Sequence, residues 1–176
     1  LCLDGVTFLN DVAVGPEGSI FITDTGMEAG ADGNLTPSGT DAVYRYPVRE
    51  GLQGSTIARN ANLGGPNGIA VGNRGIFVVT FRTGEIMALT PSGDRTTVLP
   101  GSASRQLDGI VFLPDGGFLF SNWADSSVWR VGADGTVAQV VTDVAQPADI
   151  GYDAQRNRVL IPLFGENRLV FRDLGG

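Results

Sequence analysis

Four positions in this 176-residue sequence share a setting that suits oxygen chemistry: Asn10, Asn67, Asp108 and Ala148. They stand in Leu9-Asn10-Asp11-Val12, Pro66-Asn67-Gly68-Ile69, Leu107-Asp108-Gly109-Ile110 and Pro147-Ala148-Asp149-Ile150, each at the entry to a short apolar stretch. All but Ala148 carry a side-chain oxygen. Brought to a common centre, two amides and one carboxylate suit a hard cation such as Ca²⁺. The set is sparse, so a further carboxylate or several waters would have to complete it. A second reading gives the same residues to the backbone. Asn-Gly and Asp-Gly are turn dipeptides, and Asn67-Gly68 and Asp108-Gly109 are then turns that open a strand. The sequence leaves both readings open.

What the chain lacks narrows the chemistry further. It has no histidine, and its twelve basic residues are all arginine. Histidine triads, Cys–His dyads, histidine metal sites, lysine Schiff bases and a P-loop lysine are excluded. The single cysteine, Cys2, cannot form an internal disulfide, and no base marks it as a nucleophile. The twelve-residue loop of an EF-hand is absent. Chemistry is left to carboxylates, amides, hydroxyls or a hard metal. A formal charge of −7 repels phosphate backbones and argues against nucleic-acid binding. The apolar runs, such as 75–81, are too short to cross a bilayer.

The elements that must position these residues recur. Segments 9–24, 66–80, 107–121 and 147–162 each read as a short apolar strand, a polar turn and a second apolar strand. Pro16-Glu17-Gly18 and Pro114-Asp115-Gly116 are the strongest turns, because proline presets the first turn dihedral and glycine accepts a positive one. Third strands are expected at 42–47, 85–90, 127–132 and 168–173, and fourth strands at 55–59, 95–99 and 136–141. The last two periods are 41 and 40 residues, and the first is 57. The excess lies in Gly26–Asp41, read as an inserted loop. Four antiparallel strands about every 40 residues define a β-propeller blade. The fold expected is therefore all-β: one propeller domain over 1–176, with blades near 9–59, 66–99, 107–141 and 147–174 and no outer strand in the last. Leu1-Cys2-Leu3 stands where an outer strand would precede Leu9. It would either close a four-bladed ring or end a preceding blade.

Among the other candidates, Asp11 and Asp149 follow Asn10 and Ala148, where Gly68 and Gly109 stand in the other repeats. A role in bonding local backbone is favoured for them over one in the site. Thr23-Asp24, Arg82-Thr83 and 122–125 follow the second strands and are candidates for the mouth of one face. Within them Trp123 is assigned to blade packing, and Trp129 to the core.

The chain resembles the SMP-30/gluconolactonase/LRE-like family of six-bladed propellers. The residues that carry the resemblance are Phe8–Val14 with Thr23–Gly26, Gly65–Val71, Leu107–Ile110, Ala148–Asp153, Arg156–Leu163 and Asn167-Arg168. The resemblance implies hydrolysis of lactones or related esters with one divalent cation, calcium first and zinc or manganese as alternatives. It makes Asn67 and Asp108 metal ligands. Asn10 becomes a contact for substrate or for a metal-bound water, and Asp108 a proton acceptor. The family's further ligand, a glutamate in the first blade, has no counterpart here. That gap favours four blades of a six-bladed parent over a closed ring. The implied partner is a small lactone or ester, and similar bacterial proteins favour a periplasmic or secreted location over a cytoplasmic one. The alternative function is a non-catalytic, NHL-like propeller that binds a ligand or a protein.

Overall fold

The computed structural model describes residues 5–48 and 53–175, so Cys2 and the segment 1–3 lie outside the described residues. Short β-rich runs broken by turns form the sheets. The first sheet contains β1 (Leu9–Val14), β2 (Ile20–Asp24), β5 (Ala42–Tyr46) and β6 (Ser55–Arg59), in that spatial order. The second contains β7 (Pro66–Gly72), β8 (Gly75–Thr80), β9 (Ile86–Leu89) and β10 (Arg95–Leu99). The third contains β11 (Leu107–Phe112), β12 (Phe118–Asn122), β13 (Ser127–Val131) and β14 (Val137–Val141). The fourth is three-stranded: β15 (Gly151–Asp153), β16 (Arg158–Leu163) and β17 (Arg168–Asp173). Every pairing is antiparallel, and all but β2 with β5 join consecutive strands, most of them through short turns. These are the expected blades of a four-blade propeller arrangement. No helix is long and apolar enough to cross a membrane.

The segment Gly26–Asp41 differs from expectation. It holds a hairpin of β3 (Met27–Ala29) and β4 (Leu35–Pro37), closed by Asp32-Gly33. The Asp32 carboxylate accepts from Asn34 N and Nδ2, and Gly33 adopts φ 80°. The hairpin's return leg is clamped at Asp41, whose side chain is fully buried. Asp41 accepts from Gly65 N at 2.9 Å and pairs with Arg82, while Arg82 Nη1 donates to Thr25 O.

Side chains alternate across each strand, so a blade packed on both sides feeds two cores. Ile69, Ile76, Val78 and Met87 join Phe21, Val43 and Ile57 between the first and second blades. Phe77, Val79 and Ile86 face the other way and join Leu107, Ile110, Phe118 and Phe120. Leu119 and Val128 meet Ile150, Val159, Ile161 and Leu163 between the third and fourth. Phe77 sets its edge against Phe112 and Phe118, with ring centroids 5.1 and 5.6 Å away. Strand β1 is the exception to the buried inner strand. Ala13 packs inward, whereas Val12 and Val14 are exposed, Val14 at 67%. Leu169 and Phe171 of β17 are exposed on the last blade.

Candidate functional site

The four site positions lie where the first strand of each blade begins, and the first three sit inside a β-bulge. The register of β1 with β2 shifts between Leu9 and Val12, that of β7 with β8 between Pro66 and Ile69, and that of β11 with β12 between Leu107 and Ile110. A bulge leaves its extra residue outside the ladder and re-aims its side chain. The pairs Asn10-Asp11, Asn67-Gly68 and Asp108-Gly109 therefore fall at equivalent points, as the repeat required.

Side-chain hydroxyls hold two of these bulges open. Thr23 Oγ1 accepts from Asp11 N at 3.0 Å and donates to Asn67 O in the next blade. Ser121 Oγ repeats the device, accepting from Gly109 N at 2.7 Å and donating to Ala148 O at 2.9 Å. Val79 takes the corresponding place in the second blade. One residue further on, Asp24 Oδ1 accepts from Phe8 N and Gly26 N, and Asn122 Oδ1 from Gln106 N and Ala124 N. These bonds fix the approach to each site strand.

The strands come close because glycine follows the site residue. A Cβ on Gly68 would lie 2.2 Å from Asp108 O, and one on Gly109 would lie 2.4 Å from Ile150 N and 2.7 Å from Asp149 Cα. The turn dipeptide and the site residue are thus one feature: glycine admits the neighbouring blade, and Asn or Asp stands beside the contact.

Asn67 is buried, at 5% exposure, and its Oδ1 has no hydrogen-bond partner. A buried amide oxygen left without a donor carries a desolvation cost of ~1–3 kcal/mol and fits a position where a cation or a ligand donor completes it. Asn10 is exposed, and its Nδ2 donates to Thr25 Oγ1 at 3.0 Å. That bond uses one of the two amide hydrogens, and the carbonyl oxygen is the acceptor Asn10 offers. Burial pushes the Asp108 carboxyl up to about 7, with help from the negative charges of Asp149 and Asp11; the Trp123 indole N–H pulls the other way. That N–H is buried and has no partner within full hydrogen-bond geometry. Asp149 also rises to about 7, through burial and then the charge of Asp11, against the Ile150 N–H. Asp11 is raised by burial, and the Ile69 and Val12 N–H groups oppose the rise.

Asp11 bonds local backbone as expected, its Oδ1 accepting from Val12 N at 2.6 Å, and its Oδ2 also accepts from Ile69 N at 2.7 Å across the blade boundary. Sequence reasoning missed that Asp11 and Asp149 also converge electrostatically on Asp108, although their recurrence at one repeat position was a usable signal. Among the described residues, no three carboxylate, Cys or His side chains are grouped to hold a metal ion by themselves. The donor chemistry that fits a cation is the orphaned Asn67 amide oxygen together with the Asp108 carboxylate.

Sheets in chain order, each packed face to face on the next around converging inner strands, define a β-propeller. No family model matches the chain, nor does any curated protein. Solved structures with the same fold include gluconolactonases. A candidate gluconolactonase superposes with a TM-score of 0.75 at 14% identity, over 99% of this chain and 62% of its own. A gluconolactonase of Xanthomonas campestris gives 0.70 at 21% identity, over 91% and 56%. The virginiamycin B lyase of Staphylococcus aureus gives 0.65 at 16% identity, over 93% and 64%. The chain therefore spans about 56–64% of the length of these structures.

Proposed function

We propose that the protein is a cation-dependent hydrolase of lactones or related esters, gluconolactonase-like in kind. The observation that carries this reading is the placing, at equivalent bulges of adjacent blades, of Asp108, a half-buried carboxyl pushed up to about 7, and Asn67, whose buried oxygen has no partner. The propeller likeness to gluconolactonases supports it.

Asn67 Oδ1 and the Asp108 carboxylate would hold the cation, calcium before zinc or manganese, with water filling the remaining positions. A bound cation would polarise the ester carbonyl and make water more acidic. The chain's own groups do the rest. The Asp108 carboxylate accepts a proton as water adds to the carbonyl carbon, then returns it to the alkoxide when the ring or ester C–O bond breaks. Asn10, held by Thr25, presents its carbonyl oxygen to a substrate hydroxyl or to the attacking water.

The test is calorimetric titration of Ca²⁺, Zn²⁺ and Mn²⁺, with pH-stat assay of δ-valerolactone hydrolysis. Binding should strengthen about tenfold per pH unit between pH 5 and 7, because the cation must displace the Asp108 proton. Asp108→Ala should abolish both binding and turnover. Wild-type turnover in that variant would remove Asp108 from the mechanism. Absence of binding and hydrolysis in the unmodified chain would leave ligand binding without catalysis as the function.

A further inference from the structure

The residues that immediately follow the second strands form a second set at the same end of the propeller. Thr25 N donates to Phe8 O, Phe81 N to Gly65 O, Trp123 N to Gln106 O and Phe164 N to Gln146 O. In every blade the acceptor lies two residues before the site position: Asn10, Asn67, Asp108 and Ala148 respectively. Thr25, Phe81, Trp123 and Phe164 are therefore equivalent, and each is locked beside its site strand by the same backbone bond. Their chemistry is lopsided. In the first blade Thr25 holds Asn10 and donates to Pro66 O. In the other three the position is aromatic.

Those three rings touch across blade boundaries. Phe81 meets Trp123 edge-on with centroids 5.4 Å apart, and Trp123 meets Phe164 at 5.4 Å with the planes tilted by 41°. Blade packing accounts for Phe81 and for part of Trp123. It does not account for Phe164, which is 68% exposed and opens a 3-10 turn, Phe164–Glu166, that contributes no buried residue. The ladder also reaches the site, because Trp123 N donates to Gln106 O, two residues before Asp108 on the site strand. The middle rung thus lies beside the strand that carries Asp108, and the Phe164 end is an aromatic face in solvent.

We infer that Trp123 and Phe164 form an apolar subsite flanking Asp108, which receives an aryl or other flat apolar substituent of the substrate while its polar group lies toward Asn10 and Asn67. The inference rests on the hydrolase reading for the term substrate, but the subsite itself is a binding claim. It assigns specificity to the fourth blade, where the site position is Ala148 and offers no polar group. An aromatic face stacked on a ring adds selectivity, whereas a compact polar ring gains nothing from it.

The test compares δ-phenyl-δ-valerolactone with δ-valerolactone, by intrinsic tryptophan fluorescence for binding and by pH-stat for hydrolysis. The phenyl compound should bind more tightly and quench Trp123 emission. Phe164→Ala should weaken it about three- to tenfold and leave δ-valerolactone unchanged. Phe164→Tyr, which keeps the ring, should restore the preference, and exposure at this position keeps both variants folded. Equal binding of the two lactones, or an equal loss for both in Phe164→Ala, overturns the subsite. Ring-dependent binding without hydrolysis upholds the subsite and rejects the hydrolase instead.

Discussion

Asp108 and Asp149 ionise against their surroundings, and that has a signed consequence for stability. Both have folded-state values near 7, above the 3.8 of a free aspartate. Below about pH 4 they are protonated in the folded and unfolded chain alike and cost nothing. As pH rises from about 4 to 7 the unfolded chain ionises first, so stability falls, and above about 7 the loss is complete. With divalent cations removed, Asp108→Asn should therefore raise stability at pH 8 by ~1–2 kcal/mol after allowance for partial solvent access, or ~2–8 °C in melting temperature. At pH 4 it should change little. Thermal unfolding at the two pH values checks this, and a gain of equal size at both would mean the effect is packing rather than charge. At this scale the equivalence of Asn67 and Asp108 was legible, because repeat position marks it. The convergence of Asp149 on Asp108 was not, since the two are far apart in sequence and meet only across a blade boundary. Trp123 was read as packing, because a tryptophan after a strand signals burial and its N–H direction is invisible in one dimension.

Among the elements, the bulged first strand joins structure to site. The order of strands, their turns and most of their ends were legible, because alternation of apolar residues and Pro-x-Gly turns encode them directly. The bulge was not, since one extra residue in a strand leaves the apolar pattern nearly unchanged. Nor was the hairpin within Gly26–Asp41, whose polar, glycine-rich composition is that of a loop. Its strands are three residues each and exposed, and the buried Asp41–Arg82 pair clamps its return leg. The close approach at the bulges yields a direct prediction. Gly109→Ala would drive a methyl group into Ile150 N and should cost ~2–3 kcal/mol. Gly151→Ala, whose added carbon would meet Leu160 Cβ at an ordinary 3.8 Å, should cost little. Denaturant midpoints of the two variants, compared with the parent, decide it. Similar losses for both would mean that glycine is needed there for flexibility rather than for room.

At the scale of the whole molecule, the described residues form three apolar cores in series, each shared by two adjacent blades. Among them the first and last blades share one core each, and the middle two share one on either side. Native-state amide exchange should follow that order, slowest in β8 and β12 and fastest in β1 and β17. Uniform protection across the four blades would show instead a single cooperative unit. Under the graded order, opening would begin in the outer two of these blades and reach the middle two last. Asn67 and Asp108 stand on β7 and β11, in the two blades held from both sides. On that order the pair that carries the proposed chemistry would outlast the blades on either side, and partial fraying would spend those before it reached the reaction centre.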